Sequence, residues 1–254
     1  MIKKLPSNEK FIIPMINLDE ISSSALTTMI DNAPQYNRRQ FKDLIKNTIG
    51  AIHQIPHIFE KANSNEKFEL KNIEAYFGRS SAAIDEPGKN IANRFKSHRD
   101  HIERRHKFGM IIAKTTIDNT LLMERFGISI IENLKRKNGL CIANKTGYSK
   151  GGVGENEPGL LYMTFKLLDQ DDRPGNMLTN SQINSAVKLV MDDMNYFDLN
   201  IADNKYVSGA AELAFKAANE PRFIGNQTIN LFDTKNEKFL APDLSRQQFK
   251  TAHS

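Results

Sequence analysis

The stretch from Asn72 to Ser80, NIEAYFGRS, decides the fold predicted for this chain. Apolar and polar residues alternate along it, which is the pattern of a β-strand whose two faces meet different surroundings. The alternation places Ile73, Ala75 and Phe77 on one face and Tyr76 on the other. A tyrosine at such a position is ordinarily a half-buried strand residue, and only the segments that follow suggest another role for it.

A basic segment with the sequence IANRFKSHRDH follows at positions 91–101 and is predicted to be a helix. Ile91, Phe95 and Ile102 lie on one face of it and are expected to pack on the core. The neighbouring face, with residues spaced i, i+4, i+7 and i+11, carries Arg94, His98, His101 and Arg105. A solvated surface is the usual explanation of a charge run. An arginine and a histidine one turn apart, beside an apolar face, argue against that explanation.

An acidic residue, Glu124, interrupts the apolar face of the next predicted helix. The residues spaced i, i+4, i+7, i+11 and i+14 on this face are Ile117, Leu121, Glu124, Ile128 and Ile131. Burying an ionised carboxylate is unfavourable unless a cation or strong hydrogen-bond donors meet it. Glu124 is therefore expected either to bind a metal or act in catalysis, or to form an internal ion pair with an arginine. Glu132 in the same helix lies among polar residues and is interpreted as solvated.

In chain order, five residues resemble the active-site set of the GIY-YIG nuclease superfamily. Tyr76-Phe77-Gly78 is similar to the second half of the family signature, and Arg94 with His98 is similar to its arginine–histidine helix. Glu124 resembles the glutamate that binds the metal, and Asn144 resembles the asparagine that closes the active site. The resemblance covers about a third of the chain, from near Ile55 to near Gly152, and rests on the ordered set rather than on any single motif.

The first half of the family signature is degraded. Its best match is His57-Ile58-Phe59, on a predicted strand from Ile55 to Glu60, where His57 replaces a glycine and Phe59 replaces the first tyrosine. The family uses that phenol near the attacking water. Two alternatives follow: Tyr76 does this work alone, or the domain is weakened or inactive.

The resemblance implies a divalent-metal-dependent endonuclease that hydrolyses phosphodiester bonds, in DNA more than in RNA. Glu124 would bind Mg²⁺ or Mn²⁺, and Arg94 would clamp the phosphoryl oxygens. Tyr76 would orient or deprotonate water with His98 relaying the proton, and Asn144 would hydrogen-bond the substrate or position Tyr76. The alternatives are a nucleic-acid-binding protein without catalysis and a protein whose basic helix is only a surface.

Further basic residues are expected to contact nucleic acid. These are Arg79, Lys96, Arg99, His101, Arg105, Lys145 and Lys150. The glycine-rich segment 147–154 lacks the Gly-Lys-Ser/Thr ending of a P-loop, so a flexible loop that faces nucleic acid is the simpler interpretation. A zinc site on His98, His101 and His106 is a weaker alternative, because no cysteine or evident fourth ligand lies beside them.

Composition sets the outer limits. The 254 residues carry a formal net charge of +5, with 39% hydrophobic and 26% charged residues, which is typical of a globular protein with an anionic partner. The single cysteine, Cys141, excludes an intrachain disulfide. We find no signal peptide and no spanning helix in the sequence, and we expect a cytoplasmic protein that does not enter a membrane.

The predicted fold class is α+β, with a small mixed sheet of three strands flanked by helices. The strands are 55–60, 72–80 and 110–113. We divide the chain into an N-terminal helical region at 1–53, a nuclease-like domain at 54–155, and a C-terminal α/β extension at 156–254. The N-terminal helices, at 20–32 and 41–52, are expected to be scaffold, with Arg38, Arg39, Lys42 and Lys46 as an alternative backbone-gripping face. The extension is predicted to contain a strand at 160–168 and a helix after Asn180.

Overall fold

The computed structural model describes most of the chain in discontinuous ranges. They are 14–36, 40–63, 67–82, 87–116, 139–144, 158–168 and 178–196, ten helical positions between 120 and 135, and four short strands between 222 and 239. The described helical positions between 120 and 135, which we call α4, are 120, 123, 124, 127, 128, 130–132, 134 and 135.

A mixed sheet of five strands forms the centre of the fold. In chain order the strands are β1 (Met15–Asn17), β2 (Ile73–Ser81), β3 (Phe108–Thr116), β4 (Cys141–Ile142) and β5 (Pro158–Leu167). Their order across the sheet is β1-β3-β5-β2-β4, antiparallel throughout except for the parallel pair of β2 and β4. The α+β class is confirmed, whereas the prediction of three strands is wrong.

The remaining elements are helices and two small hairpins. The helices are α1 (Ser23–Asn32), α2 (Phe41–Ala62), α3 (Pro87–Asp100) and α5 (Asn180–Tyr196), in addition to α4. The hairpins pair β6 (Arg222–Ile224) with β7 (Gln227–Ile229) and β8 (Phe232–Asp233) with β9 (Lys238–Phe239). Within the described part of the chain, each helix is too short or too polar to cross a lipid bilayer.

Helices cover the sheet on both faces. On one face the apolar residues of α2, α4 and α5 pack against Ile73, Ala75 and Phe77 of β2. On the other face α1 and α3 pack against the sheet, with Phe95 of α3 among the buried residues. We call these the α4 face and the α3 face. The alternation predicted for β2 is confirmed, since Tyr76 belongs to the α3 face.

Strand β5 lies in the middle of the sheet, hydrogen-bonded to β3 on one side and to β2 on the other. Its residues 159–165 are all buried, which is typical of a strand covered on both faces. The sheet thus takes β1 from region 1–53, three strands from region 54–155 and β5 from region 156–254. The division into three regions stays a prediction, but none of them builds the sheet alone.

The strand predicted at 55–60 is wrong, because these residues continue helix α2. Ile52, Ile55 and Phe59 are buried at i, i+3 and i+7, so the helical period runs on past Pro56. A proline inside a helix removes one backbone hydrogen bond, and here the continuous apolar face outweighs that loss. The degraded first half of the signature, at 57–59, therefore lies on a helix and not on a strand.

The other predicted elements agree with the structure in type. The helix at 41–52 and the strands at 72–80, 110–113 and 160–168 are confirmed. The helix and the strand at 110–113 are longer than predicted, and the bounds of the other two strands differ by one or two residues. Ile102 was expected to pack on the core, but α3 ends at Asp100 and Ile102 is 76% exposed. Of the predicted basic face, Arg38 and Arg39 lie outside the described residues, as do the side chains of Lys42 and Lys46 on helix α2.

Gly127 of α4 provides a test of how this helix packs on β2. A Cβ atom at Gly127 would overlap the ring of Phe77, which is itself fully buried. We expect Gly127→Ala to lower the free energy of unfolding by about 1–3 kcal/mol, which corresponds to several degrees in Tm. The gain in helix propensity, about 1 kcal/mol, acts in the opposite direction.

The matched control is Gly88→Ala in α3, where a Cβ atom would lie 3.6 Å from the Cβ of Leu26, an ordinary contact. This variant should leave Tm unchanged or raise it slightly. Thermal unfolding followed by circular dichroism measures both. Equal effects of the two substitutions would contradict the packing of α4 on Phe77.

Candidate nuclease-like site around Tyr76

Two tyrosines lie side by side on the α3 face of the sheet. The antiparallel register of β2 and β5 places Gly78 opposite Tyr162, and the ring centroids of Tyr76 and Tyr162 are 6.3 Å apart. A Cβ atom at position 78 would lie 2.6 Å from the ring of Tyr76 and 2.7 Å from that of Tyr162. Only glycine allows both rings to approach in this way.

Tyr162 is a phenol that the sequence analysis did not place near Tyr76. The resemblance places the family's first tyrosine at Phe59, which is buried in the α2 core on the other face of the sheet. The strand that carries Tyr162 was predicted, but it was assigned to the C-terminal extension. Its pairing with β2 is a long-range contact, which local periodicity does not reveal.

His98 extends from α3 onto these two tyrosines. Its side chain follows Ile91 and Phe95 at i+7 and i+3 on the packing side of the helix, and the residue is only 3% exposed. The ring centroids of His98 and Tyr76 are 4.3 Å apart, and Nε2 of His98 lies 2.9 Å from the hydroxyl of Tyr162. Arg94, one turn earlier, is exposed. Tyr76 and His98 therefore meet as predicted, while Arg94 lies at the solvent side.

The hydrogen bonds of His98 determine its tautomer. Nη1 of Arg104 lies 2.9 Å from Nδ1 of His98. Arginine only donates hydrogen bonds, so Nδ1 must be the acceptor, and the single proton of the neutral ring lies on Nε2 and is donated to Tyr162. Burial, together with the positive charges of Arg104, Arg94 and His101, lowers the pKa of His98 to about 3. His98 is thus a neutral, fixed hydrogen-bonding group, which does not suit the proton-relay role predicted for it.

Arg104 completes the surroundings of Tyr76. Its guanidinium carbon lies 4.7 Å from the centroid of the Tyr76 ring, a cation–π contact. A tight turn after α3 directs it there: the backbone N–H groups of Arg104 and Arg105 both donate to the carbonyl of His101, and Arg105 has a left-handed φ of 47°. Arg104 was not among the predicted site residues, because the predicted helical face continues to Arg105. In the structure the helix ends at Asp100.

Tyr76 is half-buried, and several charges surround it. Burial is the main cause that raises its pKa above the ordinary value, and the carboxylate of Glu124 acts in the same direction. The guanidinium groups of Arg104, Arg94 and Arg79 oppose the rise. The phenol therefore keeps its proton near neutral pH, which favours a role in orienting water over a role as a base.

Glu124 is buried and forms an ion pair. Its Oε2 lies 3.1 Å from Nε of Arg79, and the two side chains are 6% and 13% exposed. Arg79 is two residues after Phe77 in a regular strand, so both side chains lie on the α4 face, opposite Tyr76. The internal ion pair with an arginine, which the sequence left open, is thus present. The five predicted residues therefore do not share one face of the sheet: Tyr76 and His98 lie on the α3 face, and Glu124 lies on the α4 face.

The side chains near Glu124 bear on the metal ion predicted there. Among the described residues, no three histidine, cysteine, aspartate or glutamate side chains lie close enough together to hold an ion. Mg²⁺ is commonly bound by one or two carboxylates together with water and substrate phosphates, so a single glutamate fits this ion only in combination with a substrate.

The zinc alternative is wrong for the described residues. His98 and His106 are buried and His101 is exposed, and the three do not form a metal-binding group. Nδ1 of His106 lies 2.7 Å from the hydroxyl of Thr164, and its ring stacks on that of His98 at 5.8 Å. Burial lowers the pKa of His106 to about 3, with smaller contributions from His98, Lys166 and Arg104.

Asn144 is held at the edge of β2. Its side-chain amide donates to the carbonyl of Phe77 at 2.8 Å, and its side-chain oxygen accepts from the N–H of Phe77 at 2.9 Å. Both side-chain groups thus continue the pairing that β4 begins at Glu74 and Ala75. This geometry suits the predicted role of positioning Tyr76, because Asn144 fixes the backbone of the next residue.

The remaining predicted contacts differ in how accessible they are. Lys96, His101 and Arg105 are exposed. Arg99 is bound to the carboxylate of Asp100 at 2.8 Å and donates to the carbonyl of Leu18, so much of its hydrogen-bonding capacity is already used. Arg79 is bound to Glu124 as described above. Lys145 and Lys150 lie outside the described residues.

Comparison with known proteins adds no assignment. No protein-family model, no curated protein and no solved structure matches this chain. The resemblance to the GIY-YIG nucleases therefore stays a prediction that depends on residues 76–144. The geometry around Tyr76 is the basis on which a function is proposed below.

The buried ion pair predicts an unequal response to single and double substitution. Arg79→Leu removes the guanidinium beside a buried carboxylate, and such changes typically cost about 3–5 kcal/mol. The double variant Arg79→Leu/Glu124→Leu should recover most of this loss, because apolar replacement of both partners is often neutral. Urea unfolding of the single and double variants measures this coupling.

The control for the ion pair is the exposed pair of Lys71 and Glu69, with Nζ and Oε2 2.8 Å apart. Lys71→Gln should leave stability almost unchanged, since exposed pairs contribute little. The structure would be contradicted if the effects of Arg79→Leu and Glu124→Leu on the free energy of unfolding were additive.

The two neutral histidines predict a loss of stability in mild acid. His98 and His106 have a folded-state pKa of about 3, against an ordinary value of 6.5. The unfolded chain therefore binds more protons, so their stabilisation is complete above about pH 6.5 and is lost as the pH falls towards 3. Each histidine should contribute about 1.4 kcal/mol per pH unit below about pH 6.

Urea unfolding at several pH values between about 5 and 7 measures this dependence. His106→Gln should remove about half of the slope, whatever its effect on stability at neutral pH. An unchanged slope in this variant would show that His106 is not neutral in the folded chain.

Proposed function

We propose that the chain is a divalent-metal-dependent endonuclease that hydrolyses phosphodiester bonds, with DNA as its preferred substrate. The observation that supports this best is the group around Tyr76. The phenol contacts His98 and Arg104, and it lies close enough to Glu124 and Arg94 for their charges to affect its pKa. A phenol, several guanidinium groups and a carboxylate near one strand edge suit the binding of a phosphodiester and of an attacking water.

Each residue has a role that its surroundings support. Tyr76 keeps its proton and orients water through its hydroxyl. Arg94 is exposed and supplies positive charge to the phosphoryl oxygens, and Asn144 holds the strand that carries Tyr76. Glu124 would hold Mg²⁺ or Mn²⁺ together with substrate oxygens, and the ion would supply positive charge to the scissile phosphate and the leaving oxygen.

The surface beside this group supports a nucleic-acid substrate. Lys96, His101 and Arg105 are exposed on α3 and on the turn that follows it, as Arg94 is. The net charge of the whole chain is +5. A basic surface next to candidate phosphate-binding residues favours a polyanion over a small neutral substrate.

A second candidate is a nucleic-acid-binding protein that does not cleave its ligand. The buried pair of Glu124 and Arg79 favours it, because the carboxylate already has a positive partner. The position of Phe59 in the core of α2 also favours it, because the family's first tyrosine has no equivalent there. Both candidates predict binding that weakens as the salt concentration rises, so only cleavage separates them.

The test is cleavage of supercoiled plasmid DNA with Mg²⁺, Mn²⁺ or EDTA. We expect nicking that needs the metal and that falls at least a hundredfold in Glu124→Gln, as is typical when a group that stabilises the transition state is lost. Glu132→Gln is the matched control, since this acid lies in the same helix and is not part of the group. Circular dichroism should confirm that both variants are folded.

Metal-independent nicking, or equal rates in both variants, would overturn the endonuclease proposal. Salt-sensitive binding of the plasmid without any cleavage by the wild-type protein would establish the second candidate instead.

A further inference from the structure

Arg104 differs from Arg79 and Arg94, the other two arginines whose charges affect the pKa of Tyr76. Arg79 pairs with Glu124, and Arg94 is exposed to solvent. The contacts of Arg104 are the neutral imidazole of His98 and the ring of Tyr76. In the part of the chain that the structure describes, no carboxylate lies within ion-pair distance of it.

The position of Arg104 is nevertheless tightly defined. Its guanidinium carbon lies 4.7 Å from the centroid of the Tyr76 ring, a cation–π contact, and one nitrogen donates to Nδ1 of His98 at 2.9 Å. His98 in turn donates from Nε2 to the hydroxyl of Tyr162, which is buried in the central strand. A chain of two hydrogen bonds thus connects the guanidinium to the rigid sheet.

The turn that carries Arg104 adds an independent constraint. The carbonyl of His101 accepts from two successive N–H groups, and the next residue, Arg105, takes a left-handed φ of 47° that is uncommon for a residue with a side chain. Sparsely populated backbone conformations cluster at functional sites. The turn reverses the chain so that Arg104 points back to Tyr76 while Ile102 and Arg105 are exposed.

We propose that Arg104 is a phosphate-binding residue of this site and that His98 and Tyr162 position it. This inference rests on the proposed function and extends it by assigning the guanidinium that contacts the DNA backbone next to Tyr76. Arginine has five N–H donors. The bond to His98 uses one of them, and the others can bind phosphoryl oxygens in a fork. A half-buried guanidinium without a carboxylate partner among the described residues favours a diester anion, because the anion supplies a negative charge.

Binding without cleavage tests the inference separately from the endonuclease proposal. The probe is a fluorescein-labelled DNA duplex of about 20 base pairs in EDTA, with anisotropy measured between about 50 and 300 mM NaCl. Arg104→Gln should weaken binding about tenfold and reduce the slope of log K against log salt by about one. Arg104→Lys should keep the slope but lose affinity, because an ammonium group lacks the planar fork.

The matched control is Lys188→Gln, which removes one positive charge from an exposed position of α5, on the opposite side of the sheet. It should change neither the affinity nor the slope. Equal effects of Lys188→Gln and Arg104→Gln would overturn the assignment, as would a wild-type protein that does not bind the duplex at about 50 mM NaCl. Displacement of the duplex by about 1 mM inorganic phosphate would overturn the assignment of Arg104 to the DNA backbone, since the site would then prefer the free anion.

The positioning role of His98 is tested by rescue. The side-chain oxygen of asparagine can take the place of Nδ1, so His98→Asn should retain most of the affinity. His98→Leu removes the acceptor and should weaken binding about as much as Arg104→Lys. Should His98→Leu fail to fold, Tyr162→Phe serves in its place, because it removes only the hydroxyl that fixes His98. Equal affinities of wild type, His98→Leu and Tyr162→Phe would show that Arg104 does not depend on this chain of hydrogen bonds.

Should the plasmid remain uncut while the salt slope depends on Arg104, the endonuclease proposal would fail and the phosphate-binding assignment would stand. The reverse result, cleavage that depends on Glu124 with no effect of Arg104, would retain the function and remove the assignment.

Discussion

The antiparallel pairing of β2 with β5, with Gly78 opposite Tyr162, is the constraint on which the rest of the site depends. Because Gly78 has no side chain, the rings of Tyr76 and Tyr162 approach each other on the α3 face. His98 contacts both rings, with its ring centroid 4.3 Å from that of Tyr76 and 5.7 Å from that of Tyr162. A larger residue at position 78 would separate the two phenols. It would thereby disrupt the hydrogen bonds that connect Tyr162 through His98 to Arg104.

Burial gives the histidines of this site a structural rather than an acid–base role. His98 and His106 stack on each other inside the protein, and their pKa values are lowered to about 3. Their ring nitrogens bind Tyr162, Arg104 and Thr164 in fixed directions. A neutral imidazole accepts a hydrogen bond from a guanidinium and leaves its positive charge in place. A carboxylate would accept the hydrogen bond and also neutralise the charge. The guanidinium of Arg104 therefore keeps its positive charge next to Tyr76.

The two faces of β2 carry different parts of the polar group. Tyr76 and His98 lie with α3, while Glu124 and Arg79 lie with α4, and Asn144 is at the strand edge between them. Helical and strand periodicity correctly indicated that Glu124 is buried. Periodicity does not indicate whether the partner of a buried acid is a metal or an arginine, because that partner comes from a distant part of the chain.

The sequence by itself determined the local features of this protein: the alternation in β2, the apolar faces of α2 and α3, and the burial of Glu124. These depend on the period of a single element, which neighbouring residues reveal. Only the tertiary structure decided that β5 is the central strand, that residues 55–60 are helical, and that α3 ends in time for Arg104 to contact Tyr76. The place of β5 and the contact of Arg104 depend on residues far apart in the chain, which local spacing does not reveal. Residues 55–60 stay helical because the packing of their apolar face on the core outweighs the hydrogen bond lost at Pro56, and only the packed structure decides that balance.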